Sequence, residues 1–200
     1  MDDFDQDTKG TVNDLFVAVL FKAIAIILIA YVMLLPFVKS LQTAAKQDDA
    51  LNPDSITVEA VWGENLPVDI DLWTKGAGDK QPVGYSAKNG RQFNLLRDDI
   101  GQANDATPIN YEIASGRGLY EGEYIVNLHL YAAPGGDVPL EVTVVVTLTI
   151  NGNRNRIFVE KVTLAKIGEE TTVIRFRLDK DGRLVPGSES YIPYMLRTKP

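Results

Sequence analysis

The 200-residue sequence has no cysteine and a single histidine, His129. Without thiols there is neither a disulfide framework nor a thiolate metal site, and zinc, which draws on sulfur and imidazole, has almost nothing to bind. Basic residues are outnumbered, 20 against 27 acidic, giving a formal charge of −7 and a pI near 4.8. A nucleic-acid partner would need a clustered basic surface to neutralise phosphates, and this balance excludes one. Also missing are a GxSxG elbow, a Gly-rich phosphate loop and an HExxH helix. With no catalytic constellation, no cofactor motif and no metal signature, the chain is not expected to be an enzyme.

Long apolar runs are absent too, except for one. From Leu15 to Val38 the chain reads LFVAVLFKAIAIILIAYVMLLPFV, with Lys22 its sole charge. At 1.5 Å rise per residue this stretch is roughly 36 Å long, enough to cross a hydrocarbon core of about 30 Å. A cleavable leader would open on basic residues, whereas this one opens on Asp2, Asp3, Asp5 and Asp7. The run therefore predicts an uncleaved single-pass anchor over 15–38, behind an acidic tail over 1–14. Lys9 before the helix and Lys39 and Lys46 after it leave the positive-inside rule little to use. The short tail and cysteine-free remainder favour a cytoplasmic N-terminus in a bacterial inner membrane, with the C-terminal part in the periplasm.

Two ionisable residues mark the helix. Asp14, at its start, either complements the helix dipole or has a task of its own. Lys22, about 10 Å further in, either snorkels to the interface or faces another helix. Spaced i, i+4, i+8, Asp14, Ala18 and Lys22 share one helix face.

Beyond the membrane, residues 39–54 form a polar linker that ends in the turn signal Asn52-Pro53-Asp54. The remainder, 55–200, is about the size of one ordinary domain with a core of its own. In Leu140–Ile150 the apolar residues Leu140, Val142, Val144, Val146, Leu148 and Ile150 alternate with Glu141, Thr143, Val145, Thr147 and Thr149, the period of a strand with one buried face. Asn151-Gly152 predicts a tight hairpin into a strand over Ile157–Leu164. In TTVIRFRL, Ile174, Phe176 and Leu178 face in while Arg175 and Arg177 face out. Earlier strands are expected at Ile56–Trp62, Val68–Thr74, Val83–Ser86, Phe93–Leu96, Tyr111–Ala114 and Tyr124–Tyr131, and an irregular tail from Val185. The fold class is thus one transmembrane helix followed by an all-β domain, an antiparallel sandwich of immunoglobulin-like or jelly-roll-like type.

Within that domain, His129 shares a strand face with Ile125, Asn127 and Tyr131 and is read as a polar-face or partly packed histidine. Asp69 and Asp71 lie two apart on one strand, and Asp98 and Asp99 in the RDDIG segment. Acidic loops of this kind suit Ca²⁺. The commoner roles are a solvated edge for Asp69 and Asp71, and pairing with Arg97 or turn formation for Asp98 and Asp99.

Two resemblances follow. The segment NDLFVAVLFKAIAIILIAYVMLLP resembles the anchor of the MotB/ExbD/TolR group, smaller subunits of ion-driven membrane motors, with Asp14 at the position of the ion-carrying aspartate and Pro36 near the helix exit. A second alignment, at ExbD-like distance from Pro36, sets Lys22 there instead. VDIDLW, LLRDDIG and GEYIVNLHLY, over residues 56–150, resemble a YfaP-like bacterial β-sandwich family. The resemblances imply a B-type motor subunit: a homodimer whose helices stand among MotA/TolQ/ExbB-like channel subunits in the bilayer. Asp14 would be the proton or sodium site, and the sandwich would engage an envelope ligand. The other reading is a membrane-tethered binding or structural module without ion transport.

Overall fold

A computed structural model describes residues 14–34, 53–101, 108–136 and 138–197. The acidic tail over 1–13, the end of the expected span over 35–38 with Pro36, and the linker up to residue 52 lie outside the described residues. The chain divides into two compact units, at Leu51 and Asn52.

The first unit contains helix α1 (Asp14–Leu34), 21 residues long and apolar enough to cross a membrane. Its length, about 32 Å, matches a bilayer core. All of its described residues are exposed. A helix on a soluble core would show one apolar stripe, but this one is apolar around nearly its whole circumference, as a helix solvated by lipid or by other helices is.

The second unit is all β: β1 (Ser55–Trp62), β2 (Asp69–Lys75), β3 (Phe93–Arg97), β4 (Asn110–Arg117), β5 (Gly122–Ala132), β6 (Leu140–Ile150), β7 (Asn153–Leu164) and β8 (Glu170–Leu178). They pair antiparallel into a five-stranded sheet, β3-β4-β1-β6-β7, and a three-stranded sheet, β2-β5-β8. Alternation places the core. Ile56, Val58 and Ala60 of β1 and Val142, Val144 and Val146 of β6 meet Ile70 and Leu72 of β2, Val126, Leu128 and Leu130 of β5, and Ile174 and Phe176 of β8, all buried. Tyr124 stacks on Phe176 at 5.4 Å and meets Phe93 edge-on at 6.3 Å, geometries that add to the burial of three large rings.

The strand order resolves the sandwich type. In an immunoglobulin-type domain one sheet runs A-B-E-D and the other C-F-G. Here β3-β4-β1 corresponds to D-E-B and β2-β5-β8 to C-F-G, and the β6–β7 hairpin occupies the edge where strand A would lie. A tyrosine corner accompanies this topology: near the start of β5, Tyr124 donates its hydroxyl proton to the Tyr120 carbonyl at 2.8 Å and accepts from the Tyr120 amide at 2.9 Å.

The hairpin turn forms as its residues require, with Asn151 and Gly152 both at positive φ, 50° and 76°. One expected strand does not form. Val83–Ser86 makes only isolated bridges, Thr74 to Val83 and Gly84 to Ala87. Gly84 has no side chain, and a Cβ there would fall 2.5 Å from the Trp73 ring. The segment therefore packs on Trp73 as a close-fitting loop. From Val185 to Arg197 the chain is irregular, as its prolines predict. It runs beside β8, held by Arg175–Ser190 backbone bonds and by Glu170, whose carboxylate accepts from the Leu196 and Arg197 amides.

Candidate functional site

The helix charges are simply placed. Asp14 is the first residue of α1 and Lys22 lies two turns on. With Ala18 they fall along one side of the cylinder.

In the sandwich the structure gathers residues that are scattered in the sequence. Cross-strand register sets Asp71 of β2 opposite His129 of β5, and His129 Nδ1 lies 2.7 Å from Asp71 Oδ2. Both are buried, at 3% and 2% exposure. β2 is indeed an edge strand, but the solvated face expected for Asp71 is overturned by its covering, and His129 is packed more completely than the polar-face or partly packed position expected of it. Tyr85, from the loop that replaces the expected strand at Val83–Ser86, packs on Trp73 and Tyr131, and Tyr131 packs on His129. Leu196 of the C-terminal segment buries with Trp73 and Ile125 on the same face.

Asp98 and Asp99 follow β3. Asp99 pairs with Arg97 at 3.1 Å and accepts from the Gly101 and Tyr111 amides, the pairing and turn-forming role that the sequence suggests. Asp98 instead pairs with Lys88 at 2.7 Å. Gly101 closes the turn at φ 63°, and a Cβ there would lie 2.4 Å from the Val68 carbonyl oxygen. Only glycine lets the RDDIG turn approach β2 this closely.

The residue that completes the cluster is Glu112, on the inward phase of β4 and fully buried. It accepts from the Leu72 amide at 2.6 Å and the Asp99 amide at 3.3 Å, and so ties β4 of one sheet to the edge strand β2 of the other. Oxygens of Asp71, Asp98 and Glu112 lie within 4.8 Å of one another. Burial, and secondarily the charges of Asp71 and Asp98, push the Glu112 carboxyl up to about 10. Burial and then Asp71, Asp98 and Asp99 raise Asp69 to about 6, and its Oδ1 is buried without a hydrogen-bond partner. Like charges this close are tolerated only if one carries a proton or a cation lies among them.

Chemically the arrangement retains a proton at neutral pH, and its three convergent oxygens have the hardness and spacing that a cation such as Ca²⁺ uses. Among the described residues, Asp71 is the hydrogen-bond partner of the His129 ring. Glu112 is absent from the residues singled out by sequence. Its signal is a carboxylate in phase with buried Asn110, Ala114 and Gly116 along a predicted strand. Compared with known proteins, the chain matches no family model, no curated protein and no solved structure.

Proposed function

We propose that the chain is the smaller subunit of a proton- or sodium-driven membrane motor of MotA/TolQ/ExbB type. Its helix carries the ion at Asp14, and its sandwich engages an envelope partner in the periplasm. The single observation that supports this reading is α1 itself: a span-length helix, exposed on every side, with one carboxylate at its first turn and a separately folded β domain in the same chain. A carboxylate entering a bilayer is costly when ionised and tolerated when neutral, so Asp14 takes an ion on one side and releases it on the other. The ring of channel subunits covers the apolar flanks, two copies of α1 standing inside it.

A tethered binding module without ion traffic is favoured by one feature, Lys22 on the Asp14 face, where a positive charge opposes a cation path. Asp14→Asn separates the two readings. The amide keeps size and polarity and cannot titrate, so co-purification with the channel subunit persists while ion flux is lost. An Asp14→Asn protein that assembles and conducts normally removes the motor reading and leaves the tethered module.

A further inference from the structure

The open end of the sandwich between the β6–β7 hairpin and the turn after β8 holds a cavity of about 430 Å³. Its floor is apolar, made by Leu148, Ile150, Ile157 and Leu184. Its rim carries Asn153, Asn155, Arg156 and Arg183. Two facts distinguish this mouth from an ordinary gap between sheets. Arg156 comes from β7 and Arg183 from the turn after β8, yet neither guanidinium has an ion pair or hydrogen bond among the described residues. They are exposed cations flanking an apolar floor in a chain of net charge −7. Edge strands do carry charges that discourage pairing, which accounts for Arg154 and Arg156 on β7, the edge of its sheet. It does not account for Arg183, which stands on no strand, nor for the floor between the two.

We infer that this mouth binds an extended segment of a partner protein that presents an acidic side chain next to an aliphatic one. The charge selects an anion, because each guanidinium forms forked, charge-assisted bonds to a carboxylate. The floor selects an apolar neighbour, and the volume admits one or two side chains. The asparagines select a peptide over a lipid. Each side-chain amide both donates and accepts, which matches the donor and acceptor of a peptide group and has no counterpart on an acyl chain. The inference deepens the reading above, in which the sandwich engages a partner, by giving that partner's chemistry. It does not involve ion traffic.

The test uses the full-length chain in detergent and the labelled probe acetyl-(Asp-Leu)₃-amide, followed by fluorescence anisotropy. Saturable binding is expected that weakens as salt rises. Arg156→Ala combined with Arg183→Ala should weaken it by at least about tenfold, the loss of one charge-assisted bond pair. Both arginines are exposed, so an unchanged melting curve verifies the fold of the double variant. A probe with Ser in place of Leu should bind several-fold less well, and acetyl-(Lys-Leu)₃-amide not at all. Equal binding of the acidic and basic probes, no binding of the acidic probe, or an affinity indifferent to the arginines overturns the inference. So does arginine-dependent binding to anionic lipid vesicles that the acidic peptide fails to compete away, which would make the ligand a headgroup. Asp14→Asn should bind the probe as the unaltered chain does, so failure of the motor reading and failure of this one are separately visible.

Discussion

Glu112→Gln should make the sandwich more stable at neutral pH and less stable in acid. In the unfolded chain Glu112 loses its proton near 4.5, and in the fold only near 10. Between those values the native state holds a proton that the unfolded state has released, so stability is greatest below 4.5 and declines as pH rises. Each pH unit costs about 1.4 kcal/mol for one proton. From 4.5 to 7 the loss is therefore about 3 kcal/mol, and it is the same for any folded value above 7. Glutamine removes this term. Its carbonyl still accepts from the Leu72 amide, which bonds Glu112 at 2.6 Å, and its NH₂ faces Asp71 and Asp98 as a donor. The longer bond from the Asp99 amide, 3.3 Å, loses its acceptor at a cost of about 1 kcal/mol. The net expectation is a gain of about 2 kcal/mol at pH 7, a loss of about 1 kcal/mol at pH 4.5, and a crossover between.

Urea unfolding of residues 53–200 from pH 4.5 to 8 measures this. Trp62 and Trp73, buried at 4% and 6% exposure, report the transition. Asp69, raised toward 6 by burial, contributes in the same direction between about 4 and 6 and is present in both proteins. Its side chain is only partly buried, so its share is small after screening. Parallel stability curves, with glutamine the weaker protein at pH 7, would refute the reasoning and mean that Glu112 is ionised in the fold.

Residues 53–200 alone should be soluble and give a β-type circular-dichroism spectrum, because the core from Ile56 to Leu184 includes no residue of α1; a mainly helical spectrum contradicts this. Gly101→Ala should cost about 2 kcal/mol or more, since φ 63° and a 2.4 Å approach to the Val68 oxygen both oppose a Cβ; denaturant midpoints measure it. Tyr124→Phe should cost about 1–3 kcal/mol by leaving the Tyr120 carbonyl and Gln92 amide without their bonds to the hydroxyl, again read from the midpoint. A reporter fused after Arg197 should be active in the periplasm, and cytoplasmic activity of that fusion would overturn the orientation.

Strand existence was legible because period-2 alternation is a local property of the chain. Leu140–Ile150 and Glu170–Leu178 carry it plainly, and both form with the expected faces buried. The Asn151-Gly152 turn was legible for the same reason, since positive φ at both positions is a property of those two residues. Register and strand order are not local. The pairing of β1 with both β4 and β6 follows from which faces remain to be buried after the whole chain has collapsed, and no short window contains that.

The buried cluster lies beyond a second horizon. Alternation assigns His129 and Asp71 to the outer face of their sheet, correctly, but it does not reveal that a loop and a tail will cover that face. Tyr85 arrives from a segment whose apolar residues suggest a strand, and Leu196 from a proline-rich tail whose pattern suggests nothing buried. Both are placed by contacts across more than ten residues of chain, and both pack on the sheet face that carries the buried pair. Helix α1 presents the opposite case. Its apolar residues lie on all sides, so no choice of face exists. Where the strands bury their apolar atoms against each other, the helix has the length and composition to find its solvent in a bilayer. For that reason the sequence speaks more directly about the membrane than about the site on the sandwich.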